Sequence, residues 1–351
     1  MTDVKRHGIH ITHNDADAIG CALVVAKMLE GLNLDFENNT YFCKIGDQDE
    51  TLLNVLDEDI KNYNLPEYII ISDISLNEET CEYLNDLSIR EGIKILSIDH
   101  HGTNKMYDKY DWAYNYCEGM IDTRFNDKVN VSAAYGLMEY FERTLDVEPQ
   151  KHLRVLIDMI SRYDTWEWKN HPYKYEDAYS EIQEDVVSIV SKIIGIERTF
   201  NELLTYYNNI PIFINDHQAK LYPDLFQIIY DVEEENKNKY LSTIHNKIRV
   251  IPTISENIGF FIGTGKYENY VLEFISERYS KIDTLIIIYP SSNTISARML
   301  DKPANLGELL SKLFGGGGHP RAAGARLSDE EICSVLEIFY LNGIQIDEYF
   351  K

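Results

Sequence analysis

Short, continuously apolar segments alternate with amphipathic segments of helix length through the first hundred residues, and this alternation restricts the fold more than any other feature. Continuous rather than alternating apolar character indicates strands that are buried on both faces. The predicted strands are Ile9–Thr12, Tyr41–Cys43, Tyr68–Ile71 and Ile93–Ile98. The predicted helices between them are Ala18–Leu32, Leu52–Tyr63 and Asn77–Glu91. The alternation predicts an α/β fold with a parallel, doubly wound sheet.

The rest of the chain is first helical and then mixed. Ser132 is a predicted N-cap, and helical patterns follow over 151–163, 176–208 and 217–241. Strand patterns return at 248–251, 258–262, 285–289 and 294–299, with helices predicted over 270–279, 305–313 and 329–340. We therefore predict a parallel-sheet domain over residues 1–190, a helical linker over 191–246 and a smaller α/β domain over 247–351. The active site is expected in the cleft between the two domains.

The composition bounds the class of protein. The chain has 351 residues, of which 44% are hydrophobic, enough for two packed domains. No segment has the length and apolar character of a membrane span, and the N-terminus lacks the apolar region of a signal peptide. The five cysteines match no zinc-binding spacing. We expect a cytoplasmic protein without a membrane partner and leave its oligomeric state open, a homodimer included.

The net charge of −25 argues against long nucleic acid as a ligand. Binding of long strands depends on Lys and Arg side chains that displace counterions. This chain has 58 acidic residues and only 33 basic ones. The charge still allows a short phosphate ligand that divalent metals hold locally. Its simplest alternative role is to keep the protein soluble.

Acidic residues and histidines follow the predicted strands. They are His13-Asn14-Asp15-Ala16-Asp17, Asp73, Asp99-His100-His101 and, after a later helix, Asp164. Each cluster alone is also typical of a loop or a helix cap. Three of them follow consecutive parallel strands, whose carboxyl ends share one edge of the sheet. Oxygen-rich ligand sets with a few imidazoles suit Mn²⁺ or Mg²⁺. Enough carboxylates are present for two ions, which favours a two-metal hydrolase with a bridging hydroxide as nucleophile.

A glycine-rich segment near the C-terminus has features of a phosphate site. It contains Gly315, Gly316, Gly317 and Gly318, followed by His319, Pro320 and Arg321. Successive glycines leave backbone N–H groups open to a ligand, and the histidine and arginine are donors suited to phosphate. Arg298 lies on a predicted strand nearby in sequence. The alternative is a flexible loop that precedes a helix.

The set of motifs as a whole resembles the DHH phosphoesterase superfamily, over nearly the whole chain. The matching segments are His13–Gly20, Ser72-Asp73, Asp99-His100-His101 and Asp164, and the glycine-rich segment with Ala322-Ala323-Gly324 resembles the DHH-associated domain. Within the superfamily the first motif, and the sequence around Asp164, are most similar to oligoribonucleases (nanoRNases, NrnB type) and to cyclic-nucleotide phosphodiesterases. RecJ-like exonucleases have Asp in place of His13. Family-II pyrophosphatases lack the glycine-rich segment.

The resemblance implies a cofactor of two Mn²⁺ ions, with Mg²⁺ or Co²⁺ as substitutes. The implied ligands are His13, Asp15 and Asp73 for one ion and Asp17, Asp73, His100 and Asp164 for the other, with Asp73 bridging. Asp99 would orient a neighbouring histidine, and His101 would face the scissile phosphate. The implied substrate-binding residues are Arg298, Gly315, Gly316, Gly317, Gly318, His319 and Arg321.

The function that this resemblance implies is hydrolysis of short oligoribonucleotides to 5′-mononucleotides by metal-activated water. Two alternatives share the metal site: cleavage of a cyclic mono- or dinucleotide, and removal of the 3′-phosphate from 3′-phosphoadenosine 5′-phosphate. A third, of a different class, is a catalytically silent nucleotide sensor, whose expected mark is a missing metal ligand. The sequence leaves the exact substrate, the polarity of degradation and the physiological metal open.

Overall fold

The computed structural model describes two compact units, which divide at Asp231 and Val232. The division falls within the segment that the sequence predicts as a helical linker. The residues described are 6–32, 34–36, 38–44, 46–101, 107, 109–175, 183–209, 220–244, 247–252, 257–263, 267, 270–271, 274–275, 278, 282–299, 305–319 and 322–341.

The first unit contains a parallel sheet and most of the helices. Its strands are β1 (Arg6–Thr12), β2 (Leu34–Asp35), β3 (Thr40–Phe42), β4 (Tyr68–Ser72), β5 (Lys94–Asp99), β6 (Ala113–Asn115), β7 (Met120–Asp122) and β8 (Asp127–Val129). Its helices are α1 (Ala16–Met28), α2 (Gln48–Lys61), α3 (Glu78–Glu91), α4 (Ala133–Leu145), α5 (Lys151–Asp164), α6 (Glu167–Asn170), α7 (Val186–Ile194) and α8 (Ile196–Asn209). A single 3₁₀ turn covers Glu30–Leu32, and α9 (Asp224–Ile244) contains the division between the units.

The main sheet has the strand order β2-β1-β4-β5-β6, and β3 also pairs with β1. Each of these pairings is parallel. Strands β7 and β8 form a separate antiparallel hairpin. The sequence prediction of a parallel sheet in an α/β fold is confirmed.

Helices cover both faces of this sheet. Ile70 and Ile98 point to a core formed with α1, α4 and α5, whereas Ile69 and Ile71 point to a second core formed with α2 and α3. Neighbouring residues of β4 thus enter opposite cores, because side chains alternate along a strand. Burial on both faces explains why the strand sequences are continuously apolar.

Several elements differ from those predicted. The short strands β2, β6, β7 and β8 were not expected, because two- and three-residue strands carry too little periodicity to be detected. The helix predicted over 176–208 is two helices within the described residues, since Gly195 with φ 91° separates α7 from α8. The first part of that prediction, 176–182, lies outside the described residues. The helix predicted from residue 217 begins at Asp224.

The second unit contains a mixed sheet. Its strands are β9 (Arg249–Pro252), β10 (Asn257–Ile262), β11 (Thr284–Tyr289), β12 (Thr294–Met299), β13 (Gly317–His319) and β14 (Ala322–Arg326), and its helices include α10 (Leu306–Phe314) and α11 (Asp329–Leu341). The order is β13-β14-β12-β11-β10-β9, in which only β10 and β11 are parallel among the described pairs. A 3₁₀ turn, Pro290–Ser292, joins β11 to β12. The helix predicted over 270–279 lies partly outside the described residues.

Among the described residues, no helix has both the length and the apolar character needed to cross a bilayer.

Candidate metal centre

The carboxyl ends of three central strands meet at one edge of the first unit's sheet. The register pairs Thr12 with Ser72, and Ser72 with Ile98. The next residues along β1, β4 and β5 therefore stand side by side. Because the strands are parallel and in this register, the acidic and histidine clusters that follow them lie together at this edge of the sheet. Ligand sites of open α/β sheets are expected at the same edge.

Histidine and carboxylate groups at this edge form three overlapping sets. The sets are His13, Asp15 and Asp73; Asp17, His100 and Asp164; and Asp73, Asp99, His100 and His101. Within each set, one donor atom per residue lies within 4.8 Å of the others. Asp73 and His100 each belong to two sets. Every residue of the first unit that the sequence predicted for the site is therefore brought to one place, and the donor chemistry suits a divalent cation.

Asp73 is the central residue of these sets. Its Oδ1 lies 3.3 Å from His100 Nε2, and its Oδ2 lies 3.8 Å from His13 Nδ1. The backbone of Asp73 is in the left-handed region, with φ 57°, and its N–H donates to the Ile98 carbonyl. Non-glycine residues rarely adopt this conformation, and it tends to occur where function needs it. Here it turns the chain directly after β4.

Two buried carboxylate oxygens have no hydrogen-bond partner among the described residues, Asp73 Oδ2 and Asp99 Oδ2. Burial, followed by the charges of Asp15 and Asp17, raises the pKa of Asp73 well above its usual range. Burial and the same two neighbours also raise the pKa of Asp164. A buried carboxylate without a partner is costly. This cluster of unsatisfied oxygens therefore fits one or more bound cations, which would supply the missing partners.

Asp15 and Asp17 lie at the start of α1 but take part in different sets. Asp15 is the N-cap of α1, where its Oδ1 accepts from Ala18 N at 3.0 Å and its Oδ2 is 2.8 Å from His13 Nδ1. Burial alone would raise the pKa of Asp15, but the His13 contact and the cap outweigh it and the pKa is lowered. Burial, with the nearby charge of Asp15, raises the pKa of Asp17 to about 7.

Asp17 also caps a helix that is distant in sequence. Its two carboxylate oxygens accept from the backbone N–H groups of Ala133 and Ala134, at 2.9 and 3.2 Å. The predicted cap, Ser132, stands at the N-cap position of α4, but its side chain makes no capping hydrogen bond. The predicted position of the cap is therefore confirmed, but the capping hydrogen bonds come from another helix. A carboxylate from α1 replaces the local hydroxyl, and this fixes the position of Asp17.

The three residues of the Asp99-His100-His101 triplet have different surroundings. Asp99 Oδ1 lies 2.8 Å from His101 Nδ1 and also accepts from the His100 backbone N–H. This hydrogen bond raises the pKa of His101 to about 9. Burial lowers the pKa of His100 to about 4, and its Nε2 lies 3.5 Å from Asp164 Oδ2. His100 is therefore neutral, as a metal ligand must be, while the half-exposed His101 is oriented by a carboxylate.

A buried polar layer lies under the site, and sequence reasoning missed it. His10 Nε2 is 2.8 Å from Ser72 Oγ, which donates to Thr12 Oγ1 at 3.0 Å. All three side chains are fully buried. The available signal was the placing of His10 and Thr12 two residues apart in the predicted strand Ile9–Thr12, whose other residues are isoleucines; this spacing puts both side chains on one face.

The chain that follows Asp164 is held by a buried arginine. Asp164 is the last residue of α5. Two residues earlier, Arg162 is 4% exposed and donates to the carbonyls of Glu167 and His171. The Glu167 carboxylate in turn accepts from the backbone and side-chain N–H groups of Asn130. This network fixes the backbone next to Asp164.

The predicted substrate-binding residues lie in the second unit. Arg298 is on β12, half-buried, and its Nη1 donates to Ser296 Oγ at 2.7 Å. Gly315 ends α10 in the left-handed conformation, with φ 63°, whereas Gly317, Gly318 and His319 form β13. The glycine segment is thus a helix cap and an edge strand rather than a loop before a helix. Arg321 lies outside the described residues.

The comparison of sequences shows similarity over nearly the whole chain. No protein-family model matches it. It is 25% identical over 337 residues to the oligoribonuclease NrnB of Bacillus subtilis, which covers 96% of this chain and 76% of that protein.

The comparison of structures shows the same fold in two RecJ exonucleases. RecJ of Thermus thermophilus, solved in complex with Mn²⁺, has a TM-score of 0.57 at 12% identity, over 95% of this chain and 51% of that one. A RecJ exonuclease bound to manganese has a TM-score of 0.53 at 14% identity, over 95% of this chain and 89% of that one. The similarity to an oligoribonuclease along nearly the whole chain, together with the fold shared with RecJ exonucleases, confirms the resemblance that the motifs predict.

Proposed function

We propose that this protein is a Mn²⁺-dependent phosphodiesterase that hydrolyses very short oligoribonucleotides to 5′-mononucleotides. A hydrolase of phosphate esters agrees with the sequence similarity to an oligoribonuclease. The specific substrate is supported by the net charge of −25, which disfavours long polyanions.

The observation that carries the proposal is the unpartnered, buried oxygen of Asp73 at the centre of the site. A carboxylate in this position, surrounded by His13, His100 and other carboxylates, is stable as an anion only beside positive charge. Its two oxygens face different sets of donors, so Asp73 is suited to bridge two ions. We assign His13, Asp15 and Asp73 to the first ion. To the second we assign Asp17, Asp73, His100 and Asp164.

Two ions held by these residues would supply a water of lowered pKa and would neutralise the charge that develops on the phosphoryl oxygens. The protein's own groups then orient the reactants. Asp99 holds the His101 ring by the 2.8 Å contact to Nδ1, which leaves the other ring nitrogen for the scissile phosphate. The N–H groups of Ala133 and Ala134 hold Asp17 in place. Preorganised donors of this kind cost no rearrangement during the reaction.

We assign the far part of the substrate to the second unit. Arg298, the backbone of Gly315, Gly316, Gly317 and Gly318, and the side chains of His319 and Arg321 are the proposed contacts. A guanidinium group and backbone N–H groups are the donors that bind phosphate best in proteins.

The substrate is tested by incubating the protein and Mn²⁺ with a panel of phosphate compounds. The panel is a 5′-phosphorylated RNA dinucleotide, a 24-mer, cyclic AMP, a cyclic dinucleotide, 3′-phosphoadenosine 5′-phosphate and pyrophosphate. We expect the dinucleotide to have the highest kcat/KM. Preference for the 24-mer would contradict the short-substrate proposal, and turnover of pyrophosphate alone would contradict a nuclease. Binding without turnover of any compound would favour a sensor.

The bridging role of Asp73 predicts opposite effects on stability and on metal binding. Asp73→Asn keeps the side-chain shape and tolerates the left-handed backbone, but removes one charge from a crowded, buried cluster. Without metal, the variant should unfold at the same temperature as the wild type or higher. With Mn²⁺ it should lose the thermal stabilisation that ligand binding gives, together with turnover.

The matched control is Asp57→Asn, the same change on the exposed face of α2. It should leave the melting temperature, the Mn²⁺-induced shift and turnover unaltered. If Asp73→Asn retained the full Mn²⁺ shift and full activity, the bridging assignment would be wrong.

A further inference from the structure

A cavity of about 480 Å³ lies at the carboxyl end of β3, within the first unit. Strand β3 runs parallel to β1, in a register that pairs Phe42 with Thr12. The pairing continues one residue further, because Cys43 N donates to the Thr12 carbonyl at 2.9 Å. The residues that follow β3 therefore stand one strand spacing, about 5 Å, from those that begin the metal centre.

One residue of the cavity wall lies between two residues of the metal centre in the chain. Asn14 lines the cavity, and its chain neighbours are His13 and Asp15, both members of the first donor set. Asn14 is exposed. The cavity wall is therefore continuous along the chain with the first donor set.

The cavity wall carries two cations near an aromatic ring. Lys44 is exposed; its carbonyl accepts from the Asp47 N–H, but its side chain takes part in no ion pair or hydrogen bond among the residues that the structure describes. The Arg198 side chain is 64% exposed, and its nearest carboxylate is that of Glu202, at 4.0 Å. Phe42 is half-buried, and its ring meets that of Phe200 edge-on, with the centroids 5.7 Å apart.

Two acidic side chains, Asp47 and Glu197, also line the cavity and balance its two cations. The balance allows one anionic group but not a long polyanion. Carboxylates can also accept hydrogen bonds from ribose hydroxyls or from base amino groups. The wall thus offers donors, acceptors and an aromatic ring within one small space.

A second cavity of about 450 Å³ lies against the β7–β8 hairpin and α5, and its charged groups are differently arranged. There Arg124 is held by Asp122 and Asp158 at hydrogen-bond distances of 2.6 to 3.0 Å. Its guanidinium group already forms hydrogen-bonded ion pairs with carboxylates of the same unit. The cations of the β3 cavity are less tightly engaged, which makes them better suited to an external anion.

We propose that the β3 cavity is a subsite for the nucleotide adjacent to the scissile phosphate, an inference that rests on the proposed function. Lys44 and Arg198 bind a phosphate of this nucleotide that is not hydrolysed, and Asn14 and Phe42 contact its base. The volume is within the range of small-molecule pockets. Charge-assisted hydrogen bonds to phosphate and contacts of a base with an aromatic ring each contribute to affinity.

The subsite is tested with the double variant Lys44→Gln/Arg198→Gln and two substrates. One is the 5′-phosphorylated diadenylate pApA, and the other is bis(p-nitrophenyl) phosphate, which has a scissile phosphodiester but no nucleotide. We expect the ratio of their kcat/KM values to fall by about tenfold or more in the double variant, through KM for pApA, because both charge-assisted hydrogen bonds to its phosphate are lost. An unchanged ratio would overturn the subsite.

The control is Lys61→Gln/Arg90→Gln, which removes the same two charges at exposed positions at the ends of α2 and α3 and should leave the ratio as in the wild type. Calorimetric titration with AMP provides a readout that does not need turnover. We expect the Kd for AMP to rise about tenfold in the cavity variant only. An equal Kd in both proteins would refute the subsite, whereas AMP binding without hydrolysis of either phosphodiester would refute only the proposed function.

Discussion

His10 shows how the polar layer under the metal centre is stabilised. It lies on β1, is fully buried, and reaches the next strand through Ser72 Oγ. Its other ring nitrogen, Nδ1, is 3.4 Å from Thr40 Oγ1. Burial lowers the pKa of His10 to about 3. The ring is therefore neutral in the folded protein down to a pH of about 3, and it serves as an uncharged spacer between strands.

The lowered pKa of His10 predicts that the free energy of unfolding decreases as the pH is lowered. An unfolded histidine takes up a proton below pH ~6.5, whereas folded His10 does not until about 3. The unfolded state then binds more protons, so stability is full above pH ~6.5 and falls as the pH falls. Between pH ~7 and pH ~5, the free energy of unfolding should fall by about 2 kcal/mol more in the wild type than in His10→Gln.

Urea unfolding of both proteins at the two pH values, with metal removed, measures this difference. The titrations of the carboxylates are common to both proteins and cancel in the comparison. Parallel losses of stability in the wild type and the variant would show that His10 does not remain neutral when folded.

At the scale of elements, α1 and α4 form the packing contact that positions Asp17. Gly20 of α1 faces Ala134 of α4 so closely that an added Cβ would lie 2.9 Å from the Ala134 Cβ. Asp17 is one turn earlier on α1 and accepts from the N–H groups of Ala133 and Ala134. The close approach of the two helices and the cap from Asp17 therefore depend on each other.

Gly20→Ala is expected to separate these helices. The neighbouring atom is a Cβ fixed to the backbone, so it cannot move aside alone, and overpacking of this kind costs ~1–3 kcal/mol. We expect a lower free energy of unfolding despite the higher helix propensity of Ala, and weaker Mn²⁺ binding by calorimetry because Asp17 shifts. Gly31→Ala is the control, since its added Cβ has nothing within 4 Å. Equal stability and Mn²⁺ affinity in the two variants would contradict this coupling.

The same elements show what the sequence could and could not predict. The strand ends that carry Asp73 and Asp99 were predictable, because a strand buried on both faces appears in the sequence as an apolar segment that ends at a polar residue. The cap of α4 was not predictable, because Asp17 lies more than a hundred residues before Ala133 and only the packing of α1 brings them together. Likewise, a glycine series carries no strand periodicity, so the pairing of Gly317 with Gly324 on β14 follows from the tertiary fold.

For the whole molecule, the balance of charge is the property most relevant to substrate length. The chain carries −25, and this charge acts through solution over a Debye length of about 30 Å at 10 mM salt but about 10 Å at 100 mM. A dinucleotide presents few charges to this field, whereas a 24-mer presents many. The protein as a whole should therefore repel long RNA most strongly at low ionic strength.

The discrimination between short and long RNA should consequently narrow as salt is added. We expect kcat/KM for a 24-mer to rise several-fold between about 10 and 200 mM NaCl at fixed Mn²⁺, and kcat/KM for pApA to change little or to fall. Enzymes that hold nucleic acid through basic surfaces lose affinity over this range, because bound phosphates displace counterions. Steady-state rates for both RNAs across the salt series measure the effect. If rates on the 24-mer decreased with salt, a local basic surface would dominate the net charge, and substrate length would have to be limited by the dimensions of the site instead.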